Sequence, residues 1–330
     1  MHYEVITFGS ATQDVFMKSK NLKVVEDEKF FTGKGLCASL GSKMHMDEVV
    51  FTMGGCGANT ALTFGLQGLK TAYAGQIGKD YAGDLVKKEL SKAGIFLDLL
   101  KETSEYQTAF SLILSLPEVG RTILEKLGAC HELKEEDLKF ENLKSEWFYI
   151  GSLSGNSSKV FKPLVDFASD NNIKIMANPG STQLGENLEE TRDLLDKIDI
   201  LILNQEESAK LTGLNFEQEK EIFDKLDEMV KGLVIMTKGP KGVIVSDGEK
   251  YYSAGIPESD LIDRTGAGDA FASGFLSGWI NKNDITYAIQ LATANATSVL
   301  QTMGAGNGLL KKGEWGSWDK IEVKINSNIN

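Results

Sequence analysis

The chain is 330 residues long, with 25% charged residues and a formal net charge of −12, an acidity that argues against nucleic acid or an anionic membrane as partner. Its three cysteines (Cys37, Cys56, Cys130) and three histidines (His2, His45, His131) are scattered, so the sequence contains neither a zinc pattern nor a disulfide framework. The N-terminus lacks a basic region followed by an apolar run, and no stretch approaches about 18 consecutive apolar residues; a soluble, unexported, cytoplasmic protein is expected.

In chain order, Val5-Ile6-Thr7-Phe8-Gly9 reads as a first strand. Residues Asp14 to Met53 hold β-like pieces, Asp14-Val15-Phe16-Met17 and Glu48-Val49-Val50-Phe51, around a middle from Gly33 to Ser42. Gly54-Gly55-Cys56-Gly57 reads as a turn before a helix whose apolar positions include Ala58, Ala61, Leu62 and Leu69. A strand at Thr71-Ala72-Tyr73-Ala74-Gly75 and a helix through Ala82, Leu85, Val86, Leu90 and Ala93 follow, then a hairpin from Thr108 to Leu127 turning at Pro117-Glu118-Val119-Gly120. Strand-like runs return at Trp147 to Ile150, Lys174 to Ala177, Ile200 to Leu203 and Leu233 to Met236, separated by charged, helix-compatible sequence. This alternation predicts a parallel sheet covered by helices on both faces. A last edge strand is predicted within Lys320 to Ile325. In such sheets ligands bind beyond the carboxyl ends of the strands, and Asn178 to Gly180, Asn204 to Glu207 and Thr237 to Gly242 directly follow such runs.

The densest chemistry lies in Asp263-Arg264-Thr265-Gly266-Ala267-Gly268-Asp269-Ala270-Phe271. Phe271, Phe275, Leu276, Trp279 and Ile280 recur at helical spacing, so a helix begins near Asp269 and the glycine-rich turn lies at its N-terminus. Free N–H groups and the helix dipole stabilise an anion there, and Asp269 is placed to accept a proton from an alcohol nucleophile. The same residues would also serve as an ordinary Asp cap on a buried helix. Neighbouring N–H groups are expected to lower the Asp269 pKa. No Walker loop and no Gly-x-Gly-x-x-Gly after the first strand is present, which disfavours a P-loop and a dinucleotide oxidoreductase.

Asp263 to Asp269 resembles the C-terminal signature of the ribokinase, or pfkB, family of carbohydrate kinases, and Gly54-Gly55-Cys56-Gly57-Ala58-Asn59 its N-terminal one. Asn204-Gln205-Glu206-Glu207 is similar to the family's Asn-x-x-Glu element, and Thr237-Lys238-Gly239-Pro240-Lys241-Gly242 to its nucleotide loop. The resemblance runs from about Val5 to Gly304. It implies a ribokinase-like α/β/α sandwich forming one kinase domain, with segments 14–53 and 108–127 making a small β-sheet lid. It further implies ATP and Mg²⁺ as cofactors, Asp269 as base, and an anion hole at Gly266, Ala267 and Gly268. Asp14, Gly54, Gly55 and Asn59 would hold the acceptor; Asn204, Thr237, Lys238, Gly239 and Gly242 the nucleotide; Glu207 the Mg²⁺, through water. Asn204 and Glu207 equally fit a helix-capping pair. Asp263 and Thr265, with Val299, Thr302, Gly304 and Gly308, fall near positions that bind a monovalent cation such as K⁺ in related kinases.

The reading is an ATP-dependent kinase acting on a hydroxymethyl group of a sugar. The first alternative is a nucleoside kinase, because Phe16, Phe30, Phe31, Leu36, Met44 and Met46 make the lid region apolar. The second is a binding protein without catalysis. A homodimer through the lid is one arrangement the resemblance allows.

Overall fold

The structure, a computed structural model, describes residues 1–30, 32–116 and 120–327; Phe31 and Pro117, Glu118 and Val119, where the sequence reading put a hairpin turn, lie outside the described residues. The chain begins with β1 (Tyr3–Phe8) and leaves the main body in β2 (Thr12–Lys18), β3 (Lys23–Glu26), β4 (Lys34–Cys37) and β5 (Glu48–Gly54). It returns through α1 (Cys56–Leu66), β6 (Thr71–Ala74), β7 (Gln76–Gly78), α2 (Tyr81–Lys92) and β8 (Lys101–Thr103), then leaves again in β9 (Ala109–Leu116) and β10 (Gly120–Lys126). Regular alternation follows: β11 (Ser145–Ile150), α3 (Phe161–Asp170), β12 (Lys174–Ala177), α4 (Leu188–Asp193), β13 (Ile200–Asn204), α5 (Gln205–Thr212), α6 (Glu219–Met229) and β14 (Leu233–Thr237). The chain closes with β15 (Val243–Ser246), β16 (Tyr251–Ala254), α7 (Ala267–Lys282), α8 (Ile285–Leu300) and β17 (Lys324–Asn326).

The main sheet has the order β17-β16-β15-β14-β13-β12-β11-β1-β6. Strands from β6 to β14 are parallel, as their alternation with helices requires. The edge differs from a wholly parallel sheet, because β15, β16 and β17 run antiparallel. Connection length explains this: only the turn Lys238 to Gly242 joins β14 to β15, and a parallel return needs about a dozen residues.

Side chains alternate across the central strands. Ile6 and Phe8, Phe148 and Ile150, and Leu201 and Leu203 pack to one side with α3, α5 and α6, while Val5, Trp147, Tyr149, Ile200 and Ile202 pack to the other with α7 and α8. Each such burial contributes about 1.5–3 kcal/mol. α7 and α8 seat closely because a Cβ on Gly274 would lie 2.9 Å from the Ala292 Cα and one on Gly278 2.7 Å from the Ala288 Cα. Asn295 fixes the first turn of α7, donating to the Ala270 carbonyl at 2.8 Å and accepting from the Leu310 N–H at 2.9 Å.

The second sheet has the order β10-β9-β2-β5, and β3 and β4 form a hairpin beyond it. Its register aligns Glu125, Ser111, Asp14 and Thr52 in one row, and Ile123, Ile113, Phe16 and Val50 in the next row on the same face. Phe30 packs over Gly35 in the hairpin, where a Cβ would collide with its ring. Among the described residues no helix is long and apolar enough to cross a membrane.

Candidate functional site

The N-terminus of α7 is shaped by two glycines for different reasons. Gly266 adopts the left-handed conformation (φ 81°) with no side-chain cap, and a Cβ there would overlap Ala305, so only glycine fits. At Gly268 the Cβ position faces open space; protein packing does not require a glycine there, and the free backbone leaves room for a ligand. Asp269 lies in the first turn and accepts from the Asn59 amide at 2.8 Å. Its pKa is pushed up to about 6, chiefly by burial and also by the Asp14 charge, against the lowering by Asn59. This corrects the expectation of a lowered value: removal from water outweighs the helix N-terminus.

On the other side of Asp269, β2 and β5 meet the start of α1. A Cβ on Gly54 would fall on the Asp14 carboxylate, and Gly55 is held at φ 94°; the paired glycines thus make room for an acid. Asp14 is 6% exposed and accepts from the Thr12 hydroxyl at 2.8 Å. Burial is the largest cause of its raised pKa, opposed by the Thr12 and Ser111 hydroxyls and reinforced by the charges of Glu125 and Asp263. Two buried acceptors, the Asn59 Oδ1 and the Thr52 Oγ1, have no hydrogen-bond partner. Unpartnered buried polar oxygens are costly; a hydroxyl-rich ligand would give the Asn59 Oδ1 a donor and the Thr52 hydroxyl a donor or an acceptor.

Beyond α7 opens a cavity of about 530 Å³ lined by Thr237, Gly239, Gly242, Arg264, Gly268 and Phe271 among others. Lys238 does not line it. Its Nζ is paired with Glu219 at 2.7 Å, and the side chain is only 14% exposed. Asn204 and Glu207 form the reciprocal cap at the start of α5: the Glu207 N–H donates to the Asn204 Oδ1 at 2.9 Å and the Asn204 N–H to the Glu207 Oε2 at 2.8 Å. Burial pushes the Glu207 carboxyl up. Among the described residues its Oε1 has no hydrogen-bond partner, and no group of three acidic, His or Cys side chains could cage a metal. That donor set fits Mg²⁺, which keeps its waters and takes few protein carboxylates.

Asp263, Thr265 and Gly304 are brought together. The Asp263 Oδ1 accepts from the Thr265 N–H at 3.1 Å and hydroxyl at 2.8 Å, and the Oδ2 from the Gly304 N–H at 3.3 Å. The Thr302 hydroxyl donates to the Val299 or the Asn307 carbonyl, and Gly308 is in the left-handed region. The position expected to take a monovalent cation already holds one of the protein's own: the Arg121 guanidinium of β10 lies 2.7 Å from the Asp263 Oδ1 and bonds the Thr265 hydroxyl. The sequence reading missed Arg121, Ser111 and Glu125, whose placement depends on the β10-β9-β2 register. It also gave no role to Arg264, although Arg264 lies inside the motif it singled out.

The chain matches the model of the pfkB family carbohydrate kinases over residues 5–312. It is 26% identical over 273 residues, 80% of this chain and 84% of the relative, to the ATP-dependent 6-phosphofructokinase of Thermoanaerobacterium thermosaccharolyticum. It is 25% identical over 288 residues, again 80% and 84%, to the adenosine kinase of Schizosaccharomyces pombe. Its fold superposes on the Arabidopsis thaliana ribokinase complexed with ribose and ATP at a TM-score of 0.76, with 22% identity, covering 94% of this chain and 97% of that one. With the family model spanning nearly the whole length, the chain belongs to the pfkB family of carbohydrate kinases, phosphotransferases with alcohol acceptors.

Proposed function

We propose that the protein transfers the γ-phosphoryl group of ATP to a hydroxymethyl group of a sugar that bears no phosphate of its own. The observation that carries this reading is Asp269, a carboxylate with a pKa of about 6 at the uncapped start of α7, joined to Asn59 on one side and next to Gly268 at the large cavity on the other. Asp14, Gly54, Gly55 and Asn59 hold the sugar, whose hydroxyls donate to the unpartnered oxygens of Asn59 and Thr52. Asn204, Thr237, Gly239 and Gly242 hold the nucleotide, joined by Arg264. Lys238 takes no part while it stays paired with Glu219.

The acceptor oxygen attacks the γ-phosphorus in line, its proton passing to Asp269 as the new O–P bond forms. The bond from the γ-phosphorus to the β-phosphate oxygen breaks and ADP leaves, while N–H groups at Gly266, Ala267 and Gly268 stabilise the charge on the transferring group. Mg²⁺, held by the phosphates and through water by Glu207, would neutralise part of that charge.

The absence of a phosphate on the acceptor follows from charge. Asp14, Glu125 and Asp263 put carboxylates around the acceptor side, and Arg121, a cation beside them, is already paired; a phosphorylated acceptor would be repelled. A second reading, a nucleoside kinase, draws on the apolar row Ile123, Ile113, Phe16 and Val50 beside the Asp14 row, which would pack a base. ADP release across a panel of free sugars, phosphorylated sugars and nucleosides tests both. Preference for a nucleoside selects the second reading, and turnover confined to phosphorylated sugars, or absent throughout, overturns both.

A further inference from the structure

Three elements from distant parts of the chain converge on the Asp263 carboxylate. Its Oδ1 takes the N–H and hydroxyl of Thr265, the residue before the Gly266 turn, and its Oδ2 takes the Gly304 N–H. The third element comes from the small sheet. β10 is an edge strand exposed along its whole length, yet Arg121 reaches back from it to the Asp263 Oδ1 and the Thr265 hydroxyl. The Asp263 side chain is 10% exposed and that of Arg121 35%. With its arginine side chain a third exposed to solvent, the pair adds little to stability. Its consequence is positional, since whatever fixes Asp263 also fixes the loop leading into the anion-binding turn.

A guanidinium and a monovalent metal ion put the same unit charge at this place, but they differ in what they need. Arg carries its charge permanently and presents five donors in a fixed plane; a metal ion needs several oxygens free to surround it, and both Asp263 oxygens are already committed. We infer that Arg121 supplies in cis the charge that K⁺ was expected to supply, acting as a positioning residue that ties the small sheet to the anion-binding loop and makes the protein independent of monovalent cations. The inference rests on the kinase reading for its activity arm alone.

The test compares the wild type with Arg121→Gln and Arg121→Lys in choline chloride and in KCl at matched ionic strength. Hydrogen exchange across residues 263–269, measured without substrate, should not change with K⁺ in the wild type. It should speed up in Arg121→Gln and slow again when K⁺ is added, with Arg121→Lys between the two. In turnover with the best acceptor from the panel, the wild type should change by less than about twofold with K⁺, and Arg121→Gln should fall by about 10–100-fold, as displaced catalytic groups do, and then gain from K⁺. Stimulation of the wild type by K⁺, or an Arg121→Gln variant unchanged in exchange, would overturn the inference. Should the panel yield no kinase activity, the exchange arm decides it alone.

Discussion

The central strands of the nine-stranded sheet are covered on both faces, with Ile6, Phe148 and Leu201 fully shielded, whereas the four-stranded sheet is open at its edges: β10 is exposed throughout and Val49 and Phe51 of β5 face solvent, although Val15 and Phe16 of its inner strand β2 are buried. The two sheets also hold different chemistry. Through α7 and α8 the covered sheet supports Asp269 and the turn proposed to bind the phosphoryl group, while the small one contributes Asp14, Thr52, Ser111 and Arg121. Segments with few apolar contacts open at little free-energy cost. On the proposed mechanism, the proton acceptor would thus sit on the part held more firmly, and the groups proposed to meet the acceptor molecule on the part with the more open edges.

The largest expected effect lies on the fixed side. Asp269→Asn keeps the hydrogen bond from Asn59 within reach of its carbonyl oxygen but cannot take a proton, and turnover should fall by about 10²–10⁴-fold with nucleotide affinity little changed. Near-normal turnover would sink the mechanism. The variant should also melt no lower than the wild type, because a carboxylate whose folded pKa is raised opposes folding at neutral pH, an opposition that shrinks as pH falls from about 6 toward the ordinary value of 3.8 and is gone below it. A test of the covering itself follows in size: Phe148→Ala should cost about 3–5 kcal/mol by denaturant titration, and Leu124→Ala, at an exposed position of β10, less than about 0.5 kcal/mol. Equal losses would erase the contrast between the sheets.

The pH profile sharpens the picture next. A base with a pKa of about 6 must be ionised to act, so kcat/KM should drop about tenfold per unit below that value; a flat profile down to pH 5 would exclude Asp269 as the proton acceptor. At the start of α5, Glu207→Gln retains an oxygen for the Asn204 N–H and should change stability by less than about 0.5 kcal/mol, yet raise the Mg²⁺ concentration needed for half-maximal rate. A stability loss with unchanged Mg²⁺ dependence would make Glu207 a cap and nothing more. The smallest signal belongs to the open sheet: hydrogen exchange in β2, β5, β9 and β10 should slow on adding the acceptor and much less with a non-hydrolysable nucleotide alone. Equal protection by nucleotide alone would show these strands to be static edges.

What was legible in the sequence was local or periodic. The apolar runs at Trp147 to Ile150 and Ile200 to Leu203 declare buried parallel strands because both faces must be apolar, and the turn at Gly266 to Asp269 declares itself because helix spacing starts immediately after it. Asn204 and Glu207 were legible as a cap for the same reason, lying three residues apart. What escaped depends on distant parts of the chain meeting. Nothing in Gly120 to Lys126 says that Arg121 will find Asp263, since 142 residues separate them, and Lys238 looked free until α6 brought Glu219 to it. The Asp269 pKa was misjudged in direction because the sequence displays the helix start but not the depth of the crevice around it.

The close seating of α7 on α8, with Gly274 and Gly278 against Ala292 and Ala288, bears on how such a molecule diverges. Almost any side chain added along that seam would push α7, and with it the Asp269 carboxylate, out of place, so the helix pair tolerates little sequence drift. β10, exposed along its whole length, carries no such restriction. On the proposed function, substitutions at Ser111, Ile123 or Glu125 would change which alcohol is admitted while the reaction itself is kept, so new substrate preferences could arise by small steps through catalytically competent intermediates.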